Sequence, residues 1–360
     1  MFQQPHRAVI RKHQLLTIIC AILVVVGLTN LFSADERYGY AQLWHIGVAV
    51  IAYVACMYAV SFKFLKSFAY LFYFLLLVLQ LSVLFFGHNA GGSQRWLELG
   101  ILRFQPSEFA KLALIIAVAR FFTQVPLRSN YDLTDVWLVL VMTLAMILPI
   151  FLQPDLGTAG IAFAIVCAQL FFVCISLRSI LITSVSTALV AAGAWVLLLH
   201  DYQKLRVINL FNPQLDPYGS GYNSIQSIIA VGSGMFSGKG YLHGSQSQLH
   251  FLPAKHTDFV LSVFAEEHGF RGAVILMLIF SYLIYLGLSI AKESKDTFLQ
   301  VLAVGLTAKI FVEFSINAAM ILGLFPVVGT PLPFFSFGGS SLLANSIAMG
   351  LLTSIARRTA

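Results

Sequence analysis

Charged side chains are what this sequence has least of. Asp, Glu, Lys and Arg make up 10% of its 360 residues, against about a quarter in a soluble domain. With 59% hydrophobic residues and a mean hydropathy of +0.85, the composition excludes a water-soluble globule. Cysteine is scarce too. Cys20, Cys56, Cys167 and Cys174 all lie inside apolar runs, which argues against a disulfide framework and marks them as small buried hydrophobes. The histidines show no HExxH or related spacing, so a zinc site is not expected. Neither is a cleaved signal peptide. The basic start, Met1 to His13, leads into an apolar run that is too long and lacks a small-residue cleavage site. No internal repeat suggests a transporter built from two related halves.

What the chain does have is one long hydrophobic run after another. A helix crossing lipid needs about 20 apolar residues. Such runs lie near 14–32 and 43–62, in a third stretch ending at Phe86, near 108–124, 136–153, 158–175, 180–200, 272–291 and 298–322, and in a last stretch ending at Arg357-Arg358. The expected fold is an all-α polytopic membrane protein, a bundle of about ten transmembrane helices. It forms a single domain, 1–360, with a large loop, 201–271, between the seventh and eighth helices. Starting in the cytoplasm, alternate short connections and ends carry Arg7, Arg11 and Lys12; Lys63 and Lys66; Arg128; Arg178; Lys292 and Lys295; Arg357 and Arg358. The opposite set carries Arg37 balanced by Asp35 and Glu36, then Arg95 and Arg103, then no cation. The positive-inside rule therefore puts both termini in the cytoplasm and the large loop outside. It also accounts for most of the net charge of +7, so no nucleic-acid partner is called for.

Long connections escape that rule, and the large one holds Lys204, Arg206, Lys239, Lys255 and Arg271. An anionic ligand outside the membrane is the natural explanation. The centre of this stretch reads Lys255-His256-Thr257-Asp258 and is preceded by glycine-rich turns. It is too rich in Phe, Tyr and Leu to be a disordered linker. Asp258 suits a general base, and it or Thr257 equally suits a helix cap.

Further polar residues sit where lipid disfavours them. Glu108 and Lys111 share one helical face at i and i+3, either as an internal ion pair or as one wall of a polar cavity. Lys309 and Glu313 repeat the pattern deep in the ninth run, where a structural pair is the better reading. Arg95 and Arg103 flank Trp96 in the first outer polar segment, and the guanidinium fork suits phosphate. Asp155, in Gln153-Pro-Asp-Leu-Gly157, is either a turn residue or a second acid facing the same cavity. The uncharged segment Gly329 to Ser341 is too apolar for a solvated loop and is expected to fold back on the bundle.

Several stretches together carry a resemblance. Gly91-Gly-Ser-Gln-Arg-Trp-Leu, Gln105-Pro-Ser-Glu-Phe-Ala-Lys111, Gln153-Pro-Asp-Leu-Gly157, Phe251-Leu-Pro-Ala-Lys-His-Thr-Asp-Phe259, Glu266-Glu-His-Gly269 and Phe334-Phe-Ser-Phe-Gly-Gly-Ser-Ser341 resemble, over nearly the whole chain, the SEDS family (shape, elongation, division and sporulation). The elongation branch is the nearer one. The resemblance implies a peptidoglycan glycosyltransferase in the cytoplasmic membrane of a bacterium, polymerising lipid II on the outer face and releasing undecaprenyl pyrophosphate. It marks Asp258 as the catalytic acid/base and the Glu108–Lys111 pair as important to the cavity. A class B penicillin-binding protein transpeptidase is the implied partner. A divalent cation, magnesium or manganese, is reported for such proteins, though the sequence offers no obvious ligand set. For this chemistry Asp258 would be the base, with Arg95, Arg103, Lys111 and Lys239 as candidate pyrophosphate contacts and Glu108, Asp155 and Lys255 lining the substrate site. A lipid flippase and a non-catalytic scaffold for cell-wall enzymes are the competing classes.

Overall fold

A computed structural model describes residues 11–90, 93–99, 102–126, 128, 130–197, 199, 201–212, 215, 221–249 and 251–359. Seven described helices are long and apolar enough to cross a membrane. They are α1 (Lys12–Ala34), α2 (Glu36–Tyr58), α4 (Ala69–Phe86), α8 (Leu177–Leu197), α12 (Val260–Glu293), α13 (Thr297–Ile321) and α14 (Gly339–Thr359). Three shorter ones complete the bundle: α5 (Pro106–Phe121), α6 (Trp137–Leu152) and α7 (Leu156–Phe172). A short α3 (Phe62–Ser67) carries the basic link before α4. Together they match the ten expected runs, and the chain is a multi-span membrane protein.

Lipid tails are as apolar as leucine, so close packing rather than burial from water holds such helices together. Small residues permit it. A Cβ on Gly350 of α14 would stand 2.6 Å from the Tyr53 carbonyl of α2, and one on Gly287 of α12 would stand 2.2 Å from Thr307 Oγ1 of α13. These two helix pairs are among the most extensive in the molecule. At the centre lie α5 and α13, buried on nearly every face. By contrast α8 is exposed along almost its whole length, which in lipid carries no penalty.

Two features depart from the sequence expectation. The polar segment after α4 forms a small antiparallel sheet, β1 (His88–Ala90), β2 (Ser93–Leu99) and β3 (Leu102–Phe104), in the order β1-β2-β3. Pairing lets this backbone satisfy its own amides beside the bundle. The eighth run also begins earlier than expected, because α12 starts at Val260 rather than near Gly272. Its first two turns are buried, and the chain then kinks at Gly269, whose φ of +65° suits glycine. The rest of the large loop holds α9 (Asp201–Phe211), α10 (Tyr222–Ser233) and α11 (Ser245–Gln248).

Candidate active site

Asp258 lies in the turn just before α12. The N-cap position of that helix is Phe259, and no side chain caps it. The carboxylate is therefore not engaged in capping this helix. It is half-buried. Burial pushes its pKa up to about 6, against the opposing pull of the Arg95 and Arg206 guanidiniums and a hydrogen bond from the Thr257 side chain. The negative charge of Asp155 adds to the rise. A carboxyl group poised between one acid and two cations can exchange a proton near neutral pH.

Each neighbour is brought in by a different element. Arg95 projects from β2, and its Nε lies 3.4 Å from Asp155 Oδ2. Asp155 caps α7, accepting from the Thr158 amide at 3.1 Å and the Thr158 hydroxyl at 2.8 Å. The turn role is thus filled, and the same carboxylate also meets the Arg95 guanidinium. The Gln-Pro-Asp turn is fixed from α4, where Gln80 Nε2 donates to Gln153 Oε1 and Gln153 Nε2 donates back to the Gln80 carbonyl, both at 2.9 Å. Arg206 comes from α9, with Nη1 donating to the Val327 carbonyl at 3.1 Å.

The segment between α13 and α14 closes the site. As expected, it folds back on the bundle. Ser336 Oγ accepts from the Leu332 amide at 2.8 Å and donates to the Thr257 carbonyl at 2.6 Å, while the Phe337 amide donates to the His256 carbonyl at 2.9 Å. Asn317, fully buried in α13, donates to the carbonyls of Asp258 (3.0 Å) and Thr330 (2.8 Å). One amide thus ties the acid-bearing turn to the closing segment. The His256 ring stacks on Tyr38 of α2, with centroids 3.7 Å apart. Gly329 has a φ of +73°, and a Cβ there would lie 3.4 Å from Asp258 Oδ2 and 3.8 Å from Arg95 Nη1. Gly329→Ala is therefore expected to strain the backbone and crowd the acid–guanidinium space. Polymerisation should fall at least about tenfold with little change in melting temperature; unchanged turnover would show that this space is not used.

Other candidates are placed elsewhere. Glu108 and Lys111 do not line an open cavity. They join Lys309 and Glu313 in one buried alternating quartet: Lys111 Nζ lies 2.8 Å from Glu108 Oε1 and 2.6 Å from Glu313 Oε1, and Lys309 Nζ lies 2.9 Å from Glu313 Oε2 and 3.7 Å from Glu108 Oε2. An unpaired ion among helices in lipid is expensive, so the two pairs neutralise each other. Lys309 also donates to Asn345 Oδ1. Lys239 is held by Glu266 Oε1 at 2.6 Å and Ser245 Oγ at 2.7 Å. Lys255 is buried, donating to the Ser247 carbonyl at 2.6 Å. The Arg103 side chain lies outside the described residues. Sequence reasoning missed Asn317, Gly329 and Ser336 as parts of the site and gave Arg206 no specific place. An Asn inside an apolar run was the available signal.

The described residues offer no ready-made protein cage for a metal ion. Among the described residues no three His, Cys, Asp or Glu side chains converge, and Asp155 is paired with the Arg95 guanidinium.

Comparison with known proteins decides the family. The sequence model of the cell cycle protein family FtsW/RodA/SpoVE matches residues 8–360. The chain belongs to this family. It is 39% identical over 346 residues to the peptidoglycan glycosyltransferase MrdB of Escherichia coli (strain K12), covering 95% of this chain and 92% of that protein. Among solved structures it superimposes on a chain described under "Structural coordination of polymerization and crosslinking by a peptidoglycan synthase complex". That match has a TM-score of 0.82 and 30% identity, covering 96% of this chain and 97% of the other. The crystal structure of the Thermus thermophilus rod shape determining protein RodA gives a TM-score of 0.72 and 28% identity over 95% of each chain. The SEDS-type resemblance and the helical bundle expected from sequence both agree with these matches.

Proposed function

We propose that this chain is a peptidoglycan glycosyltransferase that polymerises lipid II, with Asp258 as its general base. The observation that carries the reading is the Asp258 carboxyl group, brought to a pKa of about 6 and flanked by Arg95 and Arg206. Membership of the family and the name of the MrdB relative supply the substrate class. The 4-hydroxyl of the acceptor sugar attacks the anomeric carbon of the donor, and Asp258 takes the hydroxyl proton. A carbon–oxygen bond forms as the bond from the anomeric carbon to the pyrophosphate oxygen breaks, with inversion. Undecaprenyl pyrophosphate leaves carrying the electron pair, and guanidinium groups stabilise its charge. Arg95, Arg206 and Asp155 shape the site in this reading, while the buried Glu108–Lys111 pair supports it from below.

The active site then faces outward across a bacterial cytoplasmic membrane, with both termini inside, as the cation distribution favours. A class B penicillin-binding transpeptidase is the partner in this reading, supported by the neighbour described as coordinating polymerization and crosslinking. Purified chain given lipid II and no other polymerase should yield glycan strands; lipid movement between leaflets without strands would favour a flippase, and neither product a scaffold.

A base must be ionised to act. With a pKa of about 6, Asp258 is mostly ionised at neutral pH. Turnover under saturating lipid II is expected to be flat above pH 7 and to fall below about pH 6, approaching tenfold per unit. A profile flat down to pH 4.5 would remove Asp258 from the proton transfer.

A further inference from the structure

A cavity of about 520 Å³ opens beside the kink of α12. Its lining combines Lys239, His268 and Arg271 with one acid, Glu267, and with Tyr241 and Ile275; Glu267 Oε1 is already engaged, accepting from the Ser33 hydroxyl and the Leu242 amide. Its rim is formed by close backbone approach rather than by side chains. A Cβ on Gly269 would stand 2.3 Å from the Gly238 amide nitrogen, whereas one on Gly240 would meet only His243 Nδ1, at 3.7 Å. The rim is thus tightly packed at Gly269 and open at Gly240.

The charges inside are not all matched. The Lys239 ammonium has three donors; Glu266 and Ser245 accept two. Arg271 is exposed, and among the described residues its guanidinium makes no hydrogen bond or ion pair. Directly below, the same helix turns a bare apolar side outward: Ile275, Leu278 and Tyr282 are exposed. Beside it Met235 and Phe236 are exposed as well, the Phe236 ring 6.3 Å from that of Phe270. Large apolar side chains exposed next to a free guanidinium mark a membrane–water boundary.

We infer that this cavity binds the phosphate of a membrane glycerophospholipid. Arg271 and the third Lys239 donor hold its oxygens, and an acyl chain lies along Ile275, Leu278 and Tyr282. The site is separate from the Asp258 cluster and does not rest on the proposed reaction.

Native mass spectrometry of the full chain, titrated with phosphatidylglycerol, tests this. One lipid should bind tightly to the wild type, about tenfold or more weakly to Arg271→Gln, and nearly normally to Arg271→Lys. Diacylglycerol with the same tails should not bind at this site, and inorganic phosphate at equal concentration should not displace the lipid. Equal binding by Arg271→Gln overturns the assignment. So does equal binding of diacylglycerol, which would leave only a greasy surface, or displacement by phosphate, which would leave a free-anion site. The lipid comparisons use the unaltered chain, so they decide the matter even if the Gln variant folds poorly.

Discussion

Asp258→Asn is expected to lower lipid II polymerisation by about 10²–10⁴-fold, the usual contribution of a positioned base, while leaving the bundle intact. The amide keeps the shape of the carboxylate but cannot take the proton. Stability should move the other way. The folded pKa of about 6 lies above the ordinary aspartate value of 3.8, so the buried group favours folding while protonated. That advantage is lost as pH rises through 6. At pH 7.5 the ionised carboxylate therefore weighs on the fold, and the neutral amide should melt no lower than the wild type. A variant that is inactive and at least as stable separates chemistry from folding. One that polymerises at the wild-type rate would leave the proton acceptor to be sought elsewhere.

The second large effect concerns the quartet of Glu108, Lys111, Lys309 and Glu313. All four side chains are buried, so removing one partner strands a charge in a medium that cannot solvate it. Lys309→Met leaves two glutamates facing Lys111 alone. It is expected to destabilise the folded protein by about 3–5 kcal/mol, seen as a lower unfolding midpoint in detergent. Replacing all four by apolar residues of similar volume should cost far less than the sum of the single changes, because no charge is then left unpaired. Additive losses across the set would show that the two pairs act independently.

How much of this was legible beforehand differs from place to place. The helices were, because a run such as that ending at Phe86 needs no partner to declare itself. Asp258 stood out as an acid in a polar stretch within an oily chain, and Asp155 as an acid at a chain break. What pairs with what was less accessible. Glu108–Lys111 and Lys309–Glu313 are each legible as local pairs, yet their union depends on α5 packing against α13, which one helix period cannot reveal. Lys239 and Lys255 were read as substrate-site residues, since Glu266 and the Ser247 carbonyl, 27 and 8 residues away, come to them only through loop folding. The part played by Gly329 is a matter of φ and proximity, neither of which is written in residue type. The sheet at β1–β3 was hidden by a short glycine-containing stretch with no sustained alternation.

The most direct test of the account is the pH dependence of turnover in Arg95→Gln beside the wild type. Arg95 holds the Asp258 pKa down, so its loss should lower the rate and also carry the acid limb upward from about pH 6. A slower variant whose acid limb stays where the wild-type limb lies would contradict Asp258 as the titrating base beside Arg95.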